Sequence, residues 1–227
     1  MKINSVESLA KVIDHSLLNP VMTDRVLLEG IEIAKKHKTA SVCIKPYFVS
    51  KAAELLKGSG VAVGTVIGFP HGGNTTAAKV AEAQQAIRDG ATELDMVVNI
   101  GKVLSEDWEY VENDLRSVVA VCQAHRAVSK IIFENCYLED RHKIQLCRIS
   151  EKIGADFVKT STGYGSGGAT NEDLKLMRAN VSSKVQVKAA GGVRDLNRLL
   201  EVLDLGVTRV GATATVKMLE EAAQRFK

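Results

Sequence analysis

The chain is short of nearly everything that marks a disulfide-stapled, metal-bound, nucleic-acid-binding or membrane protein. Its four cysteines, Cys43, Cys122, Cys136 and Cys147, are scattered with no CxxC spacing, which in 227 residues argues against a zinc knuckle or a disulfide framework and predicts reduced core thiols. The histidines lack metal-ligand spacing; His37, His71, His125 and His142 are read as loop or surface residues and His15 as a core or rim residue, so no metal site is expected. Aromatic residues make up only 4%, and the net charge of +3 comes from interleaved acids and bases with no basic block, which excludes nucleic acid as an expected partner. No long apolar stretch occurs from Met1 to Leu18, where Glu7, Asp14 and His15 intervene, so neither a signal peptide nor a membrane anchor is expected and a cytoplasmic location follows. No Ser/Pro-rich linker or low-complexity segment divides the chain, and one domain over 1–227 is expected.

What is present is alternation. Short β-branched runs near Lys11–Asp14, Ala40–Ile44, Val61–Ile67, Thr92–Val98, Lys130–Glu134, Asp156–Thr160, Val185–Ala189 and Thr208–Gly211 are separated by helical patterns. Eight such βα units predict a closed α/β barrel of the TIM (β/α)₈ type. Trp108, Val111, Leu115, Val118, Val119 and Cys122 recur at helical spacing behind Glu106 and Asp107, and Val193, Leu196, Leu200 and Leu203 repeat the pattern. Thr170 with Asp173 resembles a capping box, and Pro46 stands where a first helical residue belongs. Gly60, Gly90, Gly154 and Gly206 each follow a helical pattern and precede a strand, as left-handed helix stops do. Aligning the last three of these joints makes Asp95, Lys159 and Gly211 equivalent, on the fourth, sixth and eighth strands. Asp95 and Lys159 should then share an interior layer, with Leu94, Met96 and Val158 facing outward helices.

Two lysines interrupt apolar strands near their C-terminal ends, Lys159 in Phe-Val-Lys-Thr and Lys188 in Val-Gln-Val-Lys-Ala. Barrel active sites lie at that end, and a buried ammonium is costly unless paired or deprotonated. Snorkelling to the rim or pairing with a carboxylate is the plain alternative. Two such lysines on neighbouring strands with Asp95 close by favour chemistry, because a second cation disfavours protonation of the first and leaves an amine able to attack a carbonyl. Glycines cluster after the sixth strand (Gly163, Gly165, Gly167, Gly168), after the seventh (Gly191, Gly192) and at the end of the eighth (Gly211), as expected of loops whose amides hold a phosphate beside a helix N-terminus. Asp14, His15, Cys43 and Glu134 fall at strand ends; Cys43 reads as packing, since no activating base is evident, and Glu134 as either a mouth residue or an ion-pair member.

Five segments, Ile13–Leu18, Val66–Pro70, Glu93–Gly101, Phe157–Gly163 and Val187–Arg194, resemble the deoxyribose-phosphate aldolase family in order and across nearly the whole chain. The resemblance implies cleavage of 2-deoxy-D-ribose 5-phosphate to acetaldehyde and D-glyceraldehyde 3-phosphate, with no metal or organic cofactor. Small-molecule substrates would be the partners, and self-association into a homo-oligomer is compatible with it. By position it makes Lys159 the Schiff-base lysine, Lys188 its tuning cation and Asp95 the proton relay. It places Gly163, Gly191, Gly192, Gly211 and Thr213 around the phosphate and Asp14, Ser16 and Cys43 near the substrate. The chain departs from the family pattern at Ser16, where threonine is usual, at Asn19 and Asn135, and at Ala214, where a hydroxyl is usual. A related lysine aldolase acting on another or unphosphorylated aldehyde is one alternative, and a sugar-phosphate-binding barrel without turnover is another.

Overall fold

A computed structural model describes residues 3–226; residues 1, 2 and 227, which the single-domain expectation also spans, lie outside the described residues. Eight strands, β1 (Ile13–Leu17), β2 (Ser41–Ile44), β3 (Ala62–Ile67), β4 (Glu93–Val97), β5 (Val128–Ile132), β6 (Phe157–Lys159), β7 (Gln186–Ala190) and β8 (Arg209–Ala212), pair in parallel and in chain order, and β8 closes on β1. Following register partners once round the sheet returns to β1 displaced by about eight residues, the stagger of eight-stranded barrels of this kind.

Two strands lie elsewhere than the apolar pattern suggests. β1 begins at Ile13 because Lys11 is still the cap of a helix, Val6–Ala10, and gives its N–H to Glu7 and Leu9 carbonyls. β5 ends at Ile132: Glu134 takes a left-handed φ of 57° and leads into a 3₁₀ turn, Asn135–Tyr137, so it stands past the strand end. Asp14 and His15 are correspondingly inside β1 and not at its end.

Because parallel neighbours in register point the same way, the pairings Asp14–Ser41, Cys43–Gly64, Val66–Asp95, Asp95–Lys130, Ile132–Lys159, Lys159–Lys188, Lys188–Arg209 and Gly211–Asp14 put one alternating set of residues inside the barrel. The other set, including Leu94, Met96 and Val158, packs against the helices in a continuous apolar core. Helix Trp108–His125 starts at Asp107, whose carboxylate accepts from the Tyr110 N–H, and buries Val111, Leu115, Val118, Val119 and Cys122. Helix Leu196–Asp204 is rotated from the expected stripe. Asp195 caps it two residues after Val193, and the face it buries is Leu196, Leu199 and Val202, with Leu200 and Leu203 only part-covered. Thr170 caps helix Asn171–Ala179 through the Asp173 N–H, but the reciprocal half of the box is absent because Lys143 holds the Asp173 carboxylate at 2.6 Å. Pro46 opens a 3₁₀ turn, Pro46–Phe48, ahead of the helix proper, Val49–Leu56. The joint glycines all carry positive φ. At Gly154 (φ 72°) the residue is itself the left-handed cap of helix Asp140–Ile153, a conformation that costs glycine nothing. His142, read as exposed, is buried on that helix, its Nδ1 accepting from the Glu139 N–H at 3.2 Å.

Two outer helices, Thr76–Arg88 and Trp108–His125, are cross-linked by a buried pair. Lys79 Nζ lies 2.6 Å from Asp114 Oδ2 and 3.1 Å from the Val97 carbonyl, while Thr76 donates to Asp114 Oδ1 at 2.7 Å. Removing one partner of such a pair strands the other charge, at a cost of about 3–5 kcal/mol. Lys79→Met should therefore lower the melting temperature by roughly 6–20 °C, at roughly 2–4 °C per kcal/mol for a chain of this size. Lys79→Met with Asp114→Asn should regain most of that loss in thermal unfolding. A single variant within about 1 °C of the parent would contradict the assignment.

Candidate active site

Among the described residues seven acidic and basic side chains point into the barrel: Asp14 on β1, Glu93 and Asp95 on β4, Lys130 on β5, Lys159 on β6, Lys188 on β7 and Arg209 on β8. Six of them close a ring of alternating charge. Arg209 is hydrogen-bonded to Asp14 through Nε (2.8 Å) and Nη2; Asp14 Oδ2 lies 2.5 Å from Lys188; Lys188 donates to Asp95 Oδ2 at 2.7 Å. Asp95 Oδ1 accepts from Lys130 at 2.7 Å, Lys130 reaches Glu93 Oε2 at 2.6 Å, and Glu93 Oε2 returns to Arg209 at 2.7 Å. Ser41 Oγ donates to Asp14 Oδ1 at 2.7 Å. Lys159 stands outside the ring and shares one of its oxygens, Asp95 Oδ2, at 2.7 Å.

The ring shifts proton affinities in opposite directions. Burial pushes the acids up, but Lys188, Lys130 and Arg209 around Asp14, and Lys130, Lys159 and Lys188 around Asp95, reverse it and hold both well below the ordinary carboxylate range. Burial depresses Lys130 and Lys188, yet each lies between two carboxylates and ends above the usual lysine value. Lys159 goes the other way. Burial lowers it, the shared Asp95 carboxylate only partly offsets this, and the Lys188 ammonium lowers it further. Three anions balance three cations, so a proton on Lys159 would be a surplus charge in a dry interior.

A cavity of about 360 Å³ opens above this cluster at the C-terminal end of the strands. Asp14, Ser16, Cys43, Lys159, Lys188, Gly163, Gly191, Gly192, Gly211 and Thr213 all line it. Asp95 does not; it is fully buried just beneath and touches the cavity only through its lysines. Lys188 is the direct register partner of Lys159, and both reach the same Asp95 oxygen. Cys43 is no nucleophile, since burial and then the Asp95 charge push its thiol up to about 11. Burial pulls His15 down to about 4, and its neutral ring pairs with the Thr215 hydroxyl at 2.8 Å.

Glu134 is neither a cavity residue nor an ion-pair member. Buried behind the loop that follows β6, it accepts from the Thr162 N–H at 3.2 Å and from the Thr162 hydroxyl, and so fixes the segment that presents Gly163. Tyr164, the next residue of that loop, packs edge-on against Phe69 at 5.4 Å across the cavity rim. On the far side, helix Thr215–Arg225 begins at Ala214 with no side-chain cap, leaving its first amides without a side-chain acceptor. Lys130, Glu93 and Arg209 are the functional surroundings the sequence reading missed. Lys130, in Val-Ser-Lys-Ile-Ile, carries the same signal as Lys159, a charge inside a β-branched run. Glu93 and Arg209 stand at strand starts, where charge is ordinary. Among the described residues no cluster has the make-up of a metal site and no helix is long and apolar enough to cross a membrane.

The sequence profile of the DeoC/LacD family aldolases matches residues 8–218. The chain is 55% identical over 217 residues to the deoxyribose-phosphate aldolase of Rhodopirellula baltica, covering 96% of this chain and 90% of that one. It is 48% identical over 221 residues to that of Caldanaerobacter subterraneus, covering 97% and 96%. Its fold superposes with a TM-score of 0.89 on the tetrameric deoxyribose phosphate aldolase of Aeropyrum pernix, at 31% identity over 96% of this chain and 92% of that one. A buried lysine whose proton affinity is lowered lies at the floor of the barrel mouth, and the match over nearly the whole chain shows that the chain belongs to the DeoC/LacD aldolase family.

Proposed function

We propose that this protein is a class I deoxyribose-phosphate aldolase, which reversibly cleaves 2-deoxy-D-ribose 5-phosphate to acetaldehyde and D-glyceraldehyde 3-phosphate through a Schiff base on Lys159. The observation that carries the reading is the position of Lys159: the one lysine of the cluster without a place in the charge ring, at the floor of the cavity. Its free electron pair attacks the C1 aldehyde of the open-chain sugar, and loss of water leaves an imine. The imine draws electrons, so the C2–C3 bond breaks as the C3 hydroxyl gives up its proton. Glyceraldehyde 3-phosphate departs and an enamine remains on Lys159. Protonation at C2 and hydrolysis release acetaldehyde and restore the amine.

The proton transfers belong to Lys188 and Asp95. Lys188 lines the cavity and can meet the substrate or a water held to it, and Asp95, hydrogen-bonded to both lysines, rebalances charge as the imine forms. Asp14 and Ser16, on the β1 wall, and Cys43, on the β2 wall, border the sugar chain. The phosphate would lie among the backbone amides of Gly163, Gly191, Gly192 and Gly211 and the Thr213 hydroxyl, facing the uncapped N-terminus of helix Thr215–Arg225. Ala214 removes a hydroxyl from that site but no backbone donor. The reaction as written uses no cofactor. A cytoplasmic location and a homo-oligomeric state belong to the same proposal. The bacterial aldolase relatives support the first, and the tetrameric Aeropyrum relative supports the second.

Lys159→Ala should abolish turnover and the mass gained on borohydride reduction in the presence of acetaldehyde. Lys188→Ala should slow turnover by roughly 10²–10⁴-fold, the range of a lost acid–base group, yet still trap an adduct at alkaline pH, where Lys159 loses its proton unaided. Peptide mapping that finds the label on Lys188 would reverse the two roles. Inorganic phosphate should inhibit competitively against deoxyribose 5-phosphate and leave any turnover of plain deoxyribose nearly untouched. Equal inhibition of both substrates would place the anion elsewhere.

A further inference from the structure

Arg209 closes the charge ring at the N-terminal end of the barrel, does not line the cavity, and makes no contact that the aldol chemistry requires. Asp14 from β1 and Glu93 from β4 accept its hydrogen bonds, Lys130 from β5 repels it, the Phe157 ring of β6 lies 5.8 Å from its guanidinium carbon, and Lys188 is its register partner on β7. An apolar residue there would leave Asp14 and Glu93 each short of a cation. A lysine would supply a charge that can be lost, whereas arginine stays charged at any working pH.

That permanence matters for where the missing proton must be. Seven groups carry three negative charges and sites for four positive ones, so one cationic site is in excess. Arg209 cannot be the one to lose its proton. Lys130 lies between Glu93 and Asp95, and Lys188 between Asp14 and Asp95, so each has two carboxylates. Lys159 faces only Asp95, the Lys188 ammonium and the buried Cys43 thiol, and shares its single carboxylate oxygen. Resting on the aldolase reading above, we propose that Arg209 is a positioning residue for the nucleophile: by balancing Asp14 Oδ1 and Glu93 at the closed end of the barrel, it leaves Lys188 charged between Asp14 Oδ2 and Asp95 and makes Lys159 the amine that goes without a proton.

The proposal demands that the net charge of the ring, and not its shape, moves Lys159. Arg209→Met leaves the ring one unit negative, so Lys159 should hold its proton to higher pH. Glu93→Gln leaves it one unit positive, so Lys159 should lose its proton at lower pH. The pair together, Arg209→Met with Glu93→Gln, restores balance, and Arg209→Lys keeps it.

The test is the pH dependence of trace acetylation at Lys159 by acetic anhydride, read by peptide mass in the full chain. Because it reads the amine itself, it holds whether or not the protein cleaves deoxyribose 5-phosphate; failure of wild-type cleavage would instead count against the aldolase reading. The midpoint should rise by about one pH unit in Arg209→Met and fall by about one in Glu93→Gln, each a roughly tenfold change in neutral amine. The double variant and Arg209→Lys should stay within a few tenths of the parent. If Arg209→Met does not fold, the downward shift in Glu93→Gln and its reversal in the double variant decide the matter. Unmoved midpoints, or single variants that shift in the same direction, would overturn the proposal, since mere loosening of the barrel has no sign.

Discussion

One carboxylate, that of Asp95, takes hydrogen bonds from three lysines, and the remaining features of the site follow from how its two oxygens are divided. Oδ1 belongs to Lys130 alone, while Oδ2 is shared by Lys159 and Lys188. A buried charge is tolerated only when its partners satisfy it, and a half-satisfied network is worse than an apolar interior. The barrel solves this by closing the network on itself. Parallel register brings side chains from β1, β4, β5, β7 and β8 to one interior zone, and Asp14 and Glu93 complete what Asp95 begins. The remaining amine, Lys159, has no carboxylate of its own. On the proposed mechanism its reactivity is a consequence of charge balance in a dry space, and the expense of burying six other charges is what makes that balance strict.

The two ends of the barrel divide the labour. Strands hold the charged ring rigidly, because ladder hydrogen bonds and the helix layer fix each backbone position. The loops above it are rich in glycine, which on the proposed reading lets an anion come close to the backbone. At Gly168 and Gly191 the two loops touch so closely that an added Cβ on Gly168 would lie 2.5 Å from the Gly191 carbonyl oxygen, so the segments after β6 and β7 form one continuous rim. Glu134 anchors that rim from below through Thr162. The proposed substrate site is therefore built on loops that are themselves tied to strand ends.

Much of this was legible in the sequence, for identifiable reasons. Lys159 and Lys188 stand out because a charge within a β-branched run is physically expensive, and the barrel order came from the regular alternation of such runs with helical patterns. The glycine loops were legible because their positions after the sixth, seventh and eighth strands have meaning only in a barrel. Lys130 escaped because β5 was read two residues late, which placed it at a strand edge where lysine is unremarkable. A search for glycine joints could not correct the error, since the left-handed positions ahead of β2 and β5 are filled by Lys38 and Arg126. Glu93 and Arg209 could not be found locally at all. Their pairing spans 116 residues of sequence and exists only once β8 closes on β1. His142 was misread for a similar reason, because its burial depends on packing between helix ends and not on its own neighbourhood in the chain.

The central claim is that, of four cationic side chains around three buried carboxylates, Lys159 alone lacks its proton. Neutron diffraction from deuterated crystals of the unliganded protein, held at mildly alkaline pH, would count the hydrogens on each nitrogen directly. The expected result is two on Lys159 Nζ, three each on Lys130 and Lys188, and none on Asp14 or Asp95. Three on Lys159 Nζ, with a proton missing from Lys188 or added to Asp95, would contradict it.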